Sequence, residues 1–151
     1  MTDAGPGPAA ARLAPAIAAA IVAHARAEAP NEACGFVVGS AEASAGGEAL
    51  RYVPCRNALA SPTRYRVHAD DLLRLAIETE RSGEEVWAVV HSHVRSPAVP
   101  SPTDVAEVTW SSALYVLVSL AGEPSLRAWR IEGGAASEVA LEVVPDAGAA
   151  P

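Results

Sequence analysis

The sequence predicts an α/β (α+β) fold in one domain, and three observations predict it. Its 151 residues are enough for one domain with a buried core. Stretches of helical spacing are interleaved with short runs rich in valine, leucine and isoleucine. The C-terminal third carries three strand-like runs separated by turn residues. There is no internal repeat and no sign of a second domain.

Residues 1–11, beginning "MTDAGPGPAA", are expected to form a disordered tail, 12–145 the domain, and 146–151 a second tail. A helix fits Pro15 to Glu28: Pro15 suits a first turn, Ile17, Ile21 and His24 share a face, and Pro30 ends it. "ACGFVVGS" reads as a strand, "EASAGGE" as a hairpin loop and "ALRYVPCRN" as the returning strand, in which Pro54 demands an edge or a bulge. "ALASPT" is a loop, and "RYRVHA" a short extended piece. Asp70 is placed as the N-cap of "DLLRLAIETERSG", with Leu72, Leu73, Ala76 and Ile77 inward and Gly83 as the stop. The apolar run of "EVWAVVHSH" marks a strand buried on both faces. After a proline loop, "SPTDVAEVTWSS" opens a short helix. "ALYVLVSL", "SLRAWRIEG" and "SEVALEVV" then read as three strands with tight turns at "AGEP" and "GGAA".

Composition narrows the function. Half the residues are hydrophobic but only 5% are aromatic, so the core is built from Val, Leu, Ile and Ala. The net charge is −7 and all 11 basic residues are arginine, with no basic run, which argues against nucleic acid as a partner. The acidic residues are scattered, as on a solvated surface. Cys34 and Cys55 are too few for a disulfide framework and suit two buried thiols in a reducing cytosol. The apolar stretch Leu13 to Ala23 is too short to span a bilayer and lacks the basic lead-in of a signal peptide. A cytoplasmic protein with no membrane partner is expected.

The chemistry concentrates in "HSHVRSPAVPSPTD", residues 91–104. Side chains two apart on a strand point the same way, so His91 and His93 project together, a ready pair of zinc ligands. For a lone histidine, a core or surface role is the better reading; the pairing at a buried strand end shifts the balance to metal. Ser101-x-x-Asp104 resembles a capping box with Pro102 at the first helical position, and that helix would hold Asp104 near the strand end as a third ligand. Prolines 97, 100 and 102 stiffen the loop. Three protein ligands and one open position describe a catalytic zinc site, which lowers the pKa of a water to roughly 7. Such a site needs a base, and Glu32 in "NEACGF", just before a strand, is the best candidate. Cys34 is read as packing, and His24 and His68 as structural or surface groups.

His91-x-His93, seven residues, Ser101, two residues and Asp104, with Glu32 upstream in "NEACGFVVG", resembles the JAMM motif at every position. JAMM proteins are zinc metallopeptidases of the MPN, or Mov34, fold, which is cytidine-deaminase-like. The resemblance extends over roughly residues 12 to 145, and "SPTRYRVHADDLLRL" and "YVLVSL" also look like the compact bacterial members. It implies a mixed sheet flanked by helices and one zinc per chain on His91, His93 and Asp104. Glu32 is then the general base that takes a proton from the attacking water and passes it to the leaving amine. Ser101 orients or stabilises the oxyanion, and zinc polarises the scissile carbonyl.

The resemblance is strongest to the small bacterial peptidase that cuts cysteine from the C-terminal glycine of a ubiquitin-like sulfur-carrier protein, a step in cysteine biosynthesis. Such a carrier is the expected partner, and a homodimer is left open. A tail ending in Gly-Gly could add as a strand at a sheet edge, with "EASAGGE" and "NALASPTRY" as channel walls. Arg64 and Arg66 could meet a carboxylate or an acidic carrier face, although ordinary surface charge is the simpler reading of each. Two alternatives stand: a deubiquitinase-like isopeptidase on another ubiquitin-like protein, and a non-catalytic MPN scaffold, against which the complete set of ligands and base counts. A RadC-like branch reads "HNHPSG" and carries an added N-terminal domain, neither of which is seen here. A zinc deaminase would need His-x-Glu with Cys-x-x-Cys.

Overall fold

The computed structural model describes residues 10–144. Among these, eight strands and three α-helices follow one another as β1 (Ala11–Leu13), α1 (Pro15–Glu28), β2 (Cys34–Gly39), β3 (Ala49–Cys55), α2 (Ala69–Ser82), β4 (Glu85–His93), α3 (Pro102–Ala106), β5 (Leu114–Ser119), β6 (Ser125–Glu132), β7 (Ala135–Val139) and β8 (Leu141–Val143), with a 3-10 turn at Ala43–Ala45 between β2 and β3. Six strands form one sheet in the order β3-β2-β4-β5-β6-β7. It is mixed: β4 and β5 run parallel, joined by the crossover that contains α3, and the other neighbours are antiparallel. β3, with its Pro54, is an edge strand, where the missing N–H of proline costs no central ladder bond.

β4 lies in the middle and is buried on both faces, as its apolar run predicts. On one face, Leu13, Ile17, Ile21 and Ala25 of β1, the following turn and α1 pack against Val37, Ala88, Val90 and Val116. On the other, Leu75 of α2 and Ala98 of the crossover pack against Phe36, Val38, Val89, Tyr115, Leu117 and Trp129. His91 and His93 continue the Val89 side by strand alternation, so both imidazoles emerge on this second face. No helix among the described residues is long and apolar enough to cross a membrane.

Four local expectations need correction. The tail expected over 1–11 is cut short: Ala11 is buried and opens β1, while 1–9 and the expected tail 146–151 lie outside the described residues. "SEVALEVV" is not one strand; β8 leaves the sheet and pairs in parallel with β1, where Leu13 meets Val143. α2 is capped by His68, whose side chain accepts from the Asp70 N–H, rather than by Asp70. Its inward face is Asp71 and Leu75 with Leu72 partly buried beside them, whereas Ala76 is exposed and Leu73 and Ile77 are 62% and 40% exposed. Asp71 sets that rotation, because its carboxylate accepts from the Arg56 backbone at 2.8 Å and from the Arg56 guanidinium at 3.1 Å.

Candidate metal centre and active site

Backbone pairing brings the site together. In the antiparallel β2–β4 ladder, Cys34 stands opposite His91. Continuing that register sets Ala33 against Ser92, joined by a Ser92 N–H to Ala33 carbonyl bond of 3.0 Å, and Glu32 level with His93. Ser92 points to the face opposite the histidines, and its Oγ accepts the Ala33 N–H at 2.7 Å. The Glu32 backbone is held from the other side too: its N–H donates to the Ser61 carbonyl at 2.8 Å, and its carbonyl accepts from Asn57 Nδ2 at 3.0 Å. Asn57 also ties down its own loop, donating to the Arg64 carbonyl and accepting from the Leu59 and Arg66 N–H groups.

α3 delivers the carboxylate. Ser101 Oγ accepts the Asp104 N–H at 3.0 Å and Asp104 Oδ2 accepts the Ser101 N–H at 2.9 Å, the reciprocal capping box that the sequence predicts. The same Oδ2 lies 3.1 Å from His93 Nε2 and 3.2 Å from His91 Nε2. His93 Nδ1 faces the Pro97 carbonyl at 2.8 Å; a carbonyl only accepts, so Nδ1 carries the proton and Nε2 is turned to the site. The His91 ring stacks on Tyr65, with centroids 4.6 Å apart and planes 22° from parallel.

The donor set fits a divalent metal. One ligand atom from each of His91, His93 and Asp104 lies within 4.8 Å of the others. Ligand atoms on a tetrahedral zinc, at roughly 2.0–2.1 Å each, stand roughly 3.3–3.4 Å apart, close to the spacing of Asp104 Oδ2 from the two imidazoles. Both ring nitrogens of His91 are buried without a hydrogen-bonding partner, and so is Glu32 Oε1. Buried polar atoms are rarely left unpaired unless a bound ion, water or substrate completes them. A four-coordinate ion on three protein ligands keeps one position open.

Burial pushes the Glu32 carboxyl up to about 7; the charge of His93 opposes this and that of Asp104 adds to it. Burial works in the same sense on Asp104, but the imidazoles of His91 and His93 beside it outweigh it and hold the carboxyl well below its usual range. Burial disfavours the His93 imidazolium, yet Asp104 and the Pro97 carbonyl prevail and its pKa rises. Burial also pushes the Cys34 and Cys55 thiols up to about 12. These free cysteines are register partners across β2 and β3 and act as small apolar residues.

The five residues singled out by the motif therefore converge: His91, His93 and Asp104 around one point, with Glu32 and Ser101 beside His93 in a cleft of about 580 Å³. "NALASPTRY" does wall the site, Thr63 on the Glu32 side and Tyr65 beside Asp104. "EASAGGE" borders neither cleft, because the β2–β3 hairpin turns at the end of the strands remote from Cys34 and Cys55. Arg64 is engaged by Glu107 at 2.6 Å. The bonds of Asn57 to Glu32 and of Ser92 to Ala33, and the stacking of Tyr65 on His91, escape the sequence reading. For Asn57 alone there is a local signal, an asparagine opening a loop whose backbone it can bond.

Comparison with known proteins agrees with this geometry. Residues 14–132 match the family described as prokaryotic homologs of the JAB domain. A Mycobacterium tuberculosis protein named CysO-cysteine peptidase is 41% identical over 127 residues, 83% of this chain and 85% of that protein. A Thermus thermophilus protein named probable TtuB-protein conjugate cleaving protease is 36% identical over 123 residues, 81% of this chain and 75% of that one. The solution structure of a Desulfitobacterium hafniense protein superposes with a TM-score of 0.79 at 26% identity, covering 89% of this chain and 93% of that one. With a family match across most of its length and curated relatives of the same size, this chain belongs to the prokaryotic homologs of the JAB domain, the small JAMM peptidases that its motif resembles.

Proposed function

We propose that the chain is a zinc-dependent peptidase that hydrolyses the amide after the C-terminal glycine of a ubiquitin-like sulfur-carrier protein, releasing cysteine. The observation that carries the reading is the unpartnered Glu32 carboxylate in the same cleft as His93 and Ser101, beside a His-His-Asp set spaced for a metal. The names of the M. tuberculosis and T. thermophilus relatives, one a carrier–cysteine peptidase and one a conjugate-cleaving protease, support the substrate class.

His91 and His93, through imidazole nitrogens, and Asp104, through a carboxylate oxygen, would hold zinc. When bound, zinc supplies a Lewis acid and lowers the pKa of water. The protein does the rest. Glu32 takes the proton of the attacking water and returns it to the departing amine, a task suited to a carboxylate whose pKa lies near neutrality. The bonds from Ser61 and Asn57 fix its backbone, so little ordering is left to the moment of reaction. Ser101 Oγ accepts the Asp104 N–H through one lone pair, and its O–H remains to donate to the oxyanion.

The test is Glu32→Gln. The variant is expected to keep zinc and carrier-adduct binding while kcat falls by about 10²–10⁴-fold. Near-normal turnover of a carrier–cysteine adduct by Glu32→Gln would remove the base from the mechanism.

A further inference from the structure

The metal set is flanked by two clefts. The first, of about 580 Å³, is lined by Glu32, Thr63, His93, Arg95 and Ser101, among others. The second, of about 390 Å³, is lined by Phe36, Leu59, Tyr65, Arg66, Asp104 and Trp110, among others. Both are of a size that takes a small ligand group. An amide lying across the set puts its acyl side in one cleft and its amine side in the other. Glu32 borders the first cleft and not the second. The base that takes the water's proton must deliver it to the leaving nitrogen, so the amine side belongs to the first cleft.

Among the described residues that line that cleft, Arg95 is the one guanidinium and Glu32 the one carboxylate. Arg95 is exposed and has no ion-pair or side-chain hydrogen-bond partner among the described residues, whereas Arg64, beside the second cleft, is paired with Glu107. Its loop is nevertheless pinned. Three successive carbonyls after it are engaged by the body of the protein: Ser96 by Ser119 Oγ at 2.6 Å, Pro97 by His93 Nδ1 at 2.8 Å, and Ala98 by Trp129 Nε1 at 2.9 Å. A free cation is thus held on a fixed backbone two residues from a metal-facing histidine.

The geometry points to Arg95 as a specificity-determining residue that binds the free α-carboxylate of the amino acid released from the amine side. The inference rests on the peptidase reading above and deepens it to a substrate class, an adduct in which a single amino acid is joined through its α-amine to the carrier's glycine. Such a residue carries its carboxylate one carbon from the scissile nitrogen, within the cleft that holds Arg95. A lysine joined through its ε-amine places no carboxylate there. The planar guanidinium matches a carboxylate with two parallel N–H···O bonds, and a carboxamide cannot replace that pairing.

The experiment uses the zinc-loaded full chain and three adducts of one carrier tail ending in Gly-Gly: with cysteine, with cysteine carboxamide, and with a peptide lysine linked through its ε-amine. The wild type is expected to favour the free acid over the carboxamide by at least about tenfold in kcat/KM, chiefly through KM. Arg95→Gln should bring that ratio close to one, and Arg95→Lys should leave an intermediate value. Binding gives a second readout: in the Glu32→Gln background, calorimetry should show the same preference in Kd, abolished by adding Arg95→Gln. Equal handling of acid and carboxamide by the wild type, or a preference that survives Arg95→Gln, overturns the assignment. Cleavage of the lysine-linked adduct alone overturns the substrate class, and cysteine release with it, and leaves zinc-dependent hydrolysis of a carrier amide standing. Cleavage of none of the three sinks both.

Discussion

A single carboxylate oxygen, Asp104 Oδ2, accepts the Ser101 N–H and faces both His91 and His93 within 3.2 Å. The capping box therefore aims a ligand as well as starting a helix, which makes Ser101 informative to mutate. Ser101→Ala removes the cap, at a cost of about 1 kcal/mol, and the hydroxyl proton together. A fall in kcat of about 10²-fold is expected, while Ser101→Thr keeps cap and donor and retains most turnover. Steady-state kinetics with melting curves separate the two effects; near-normal kcat in Ser101→Ala would exclude the hydroxyl as an oxyanion donor. His91, His93, Ser101 and Asp104 are legible in the sequence because their chemistry is local: alternation aims the histidines and the helix cap aims the aspartate. The bonds made by the Ser92 and Asn57 side chains to Ala33 and Glu32 are not, because those partners lie 59 and 25 residues away. No periodicity reports a bond over that distance.

Among the elements, α2 shows how a polar contact overrides an apolar pattern. Leu72, Leu73, Ala76 and Ile77 predict one face, of which only Leu72 packs against the core; the helix turns Asp71 inward to meet Arg56 just past β3, next to the loop that positions Glu32. Helix length and position are legible from spacing and from Gly83; the rotation is not, since it depends on a residue of another element. Because Arg56 is 58% exposed, its charge adds little, and the loss in Asp71→Ala comes mainly from the backbone N–H of Arg56, about 1 kcal/mol. The Arg56 hydrogen bond, against some opposing burial, holds the Asp71 carboxyl below its ordinary value of 3.8. A carboxyl lowered in the folded state contributes stability that is complete above its unfolded value and lost as pH falls through the folded one. The stability gap between wild type and Asp71→Ala is therefore expected to hold near neutrality and to narrow once the pH drops below 3.8. Denaturant melts across pH measure it; a gap that widens on acidification contradicts this account.

Across the whole molecule, the order of helices and strands is legible from composition and spacing, and the mixed sheet follows from the resemblance of one motif. What escapes is the closure of the chain on itself. The parallel pairing of β1 with β8 joins segments of three residues each, too short to show a period. The site, by contrast, gathers the segment before β2, the loop after β3, the end of β4 and the cap of α3, and a metal bound there would tie the end of β4 to α3. An ion that binds only the folded chain stabilises it. The central claim is that His91, His93 and Asp104 form one metal site, and a calorimetric titration of zinc into chelator-stripped protein tests it most directly. One equivalent per chain is expected, with Asp104→Ala weakened by at least the roughly 10–100-fold seen when merely a supporting partner of a ligand is lost. Wild-type protein that takes up no zinc, or an Asp104→Ala variant that binds it with unchanged affinity and stoichiometry, would contradict the account.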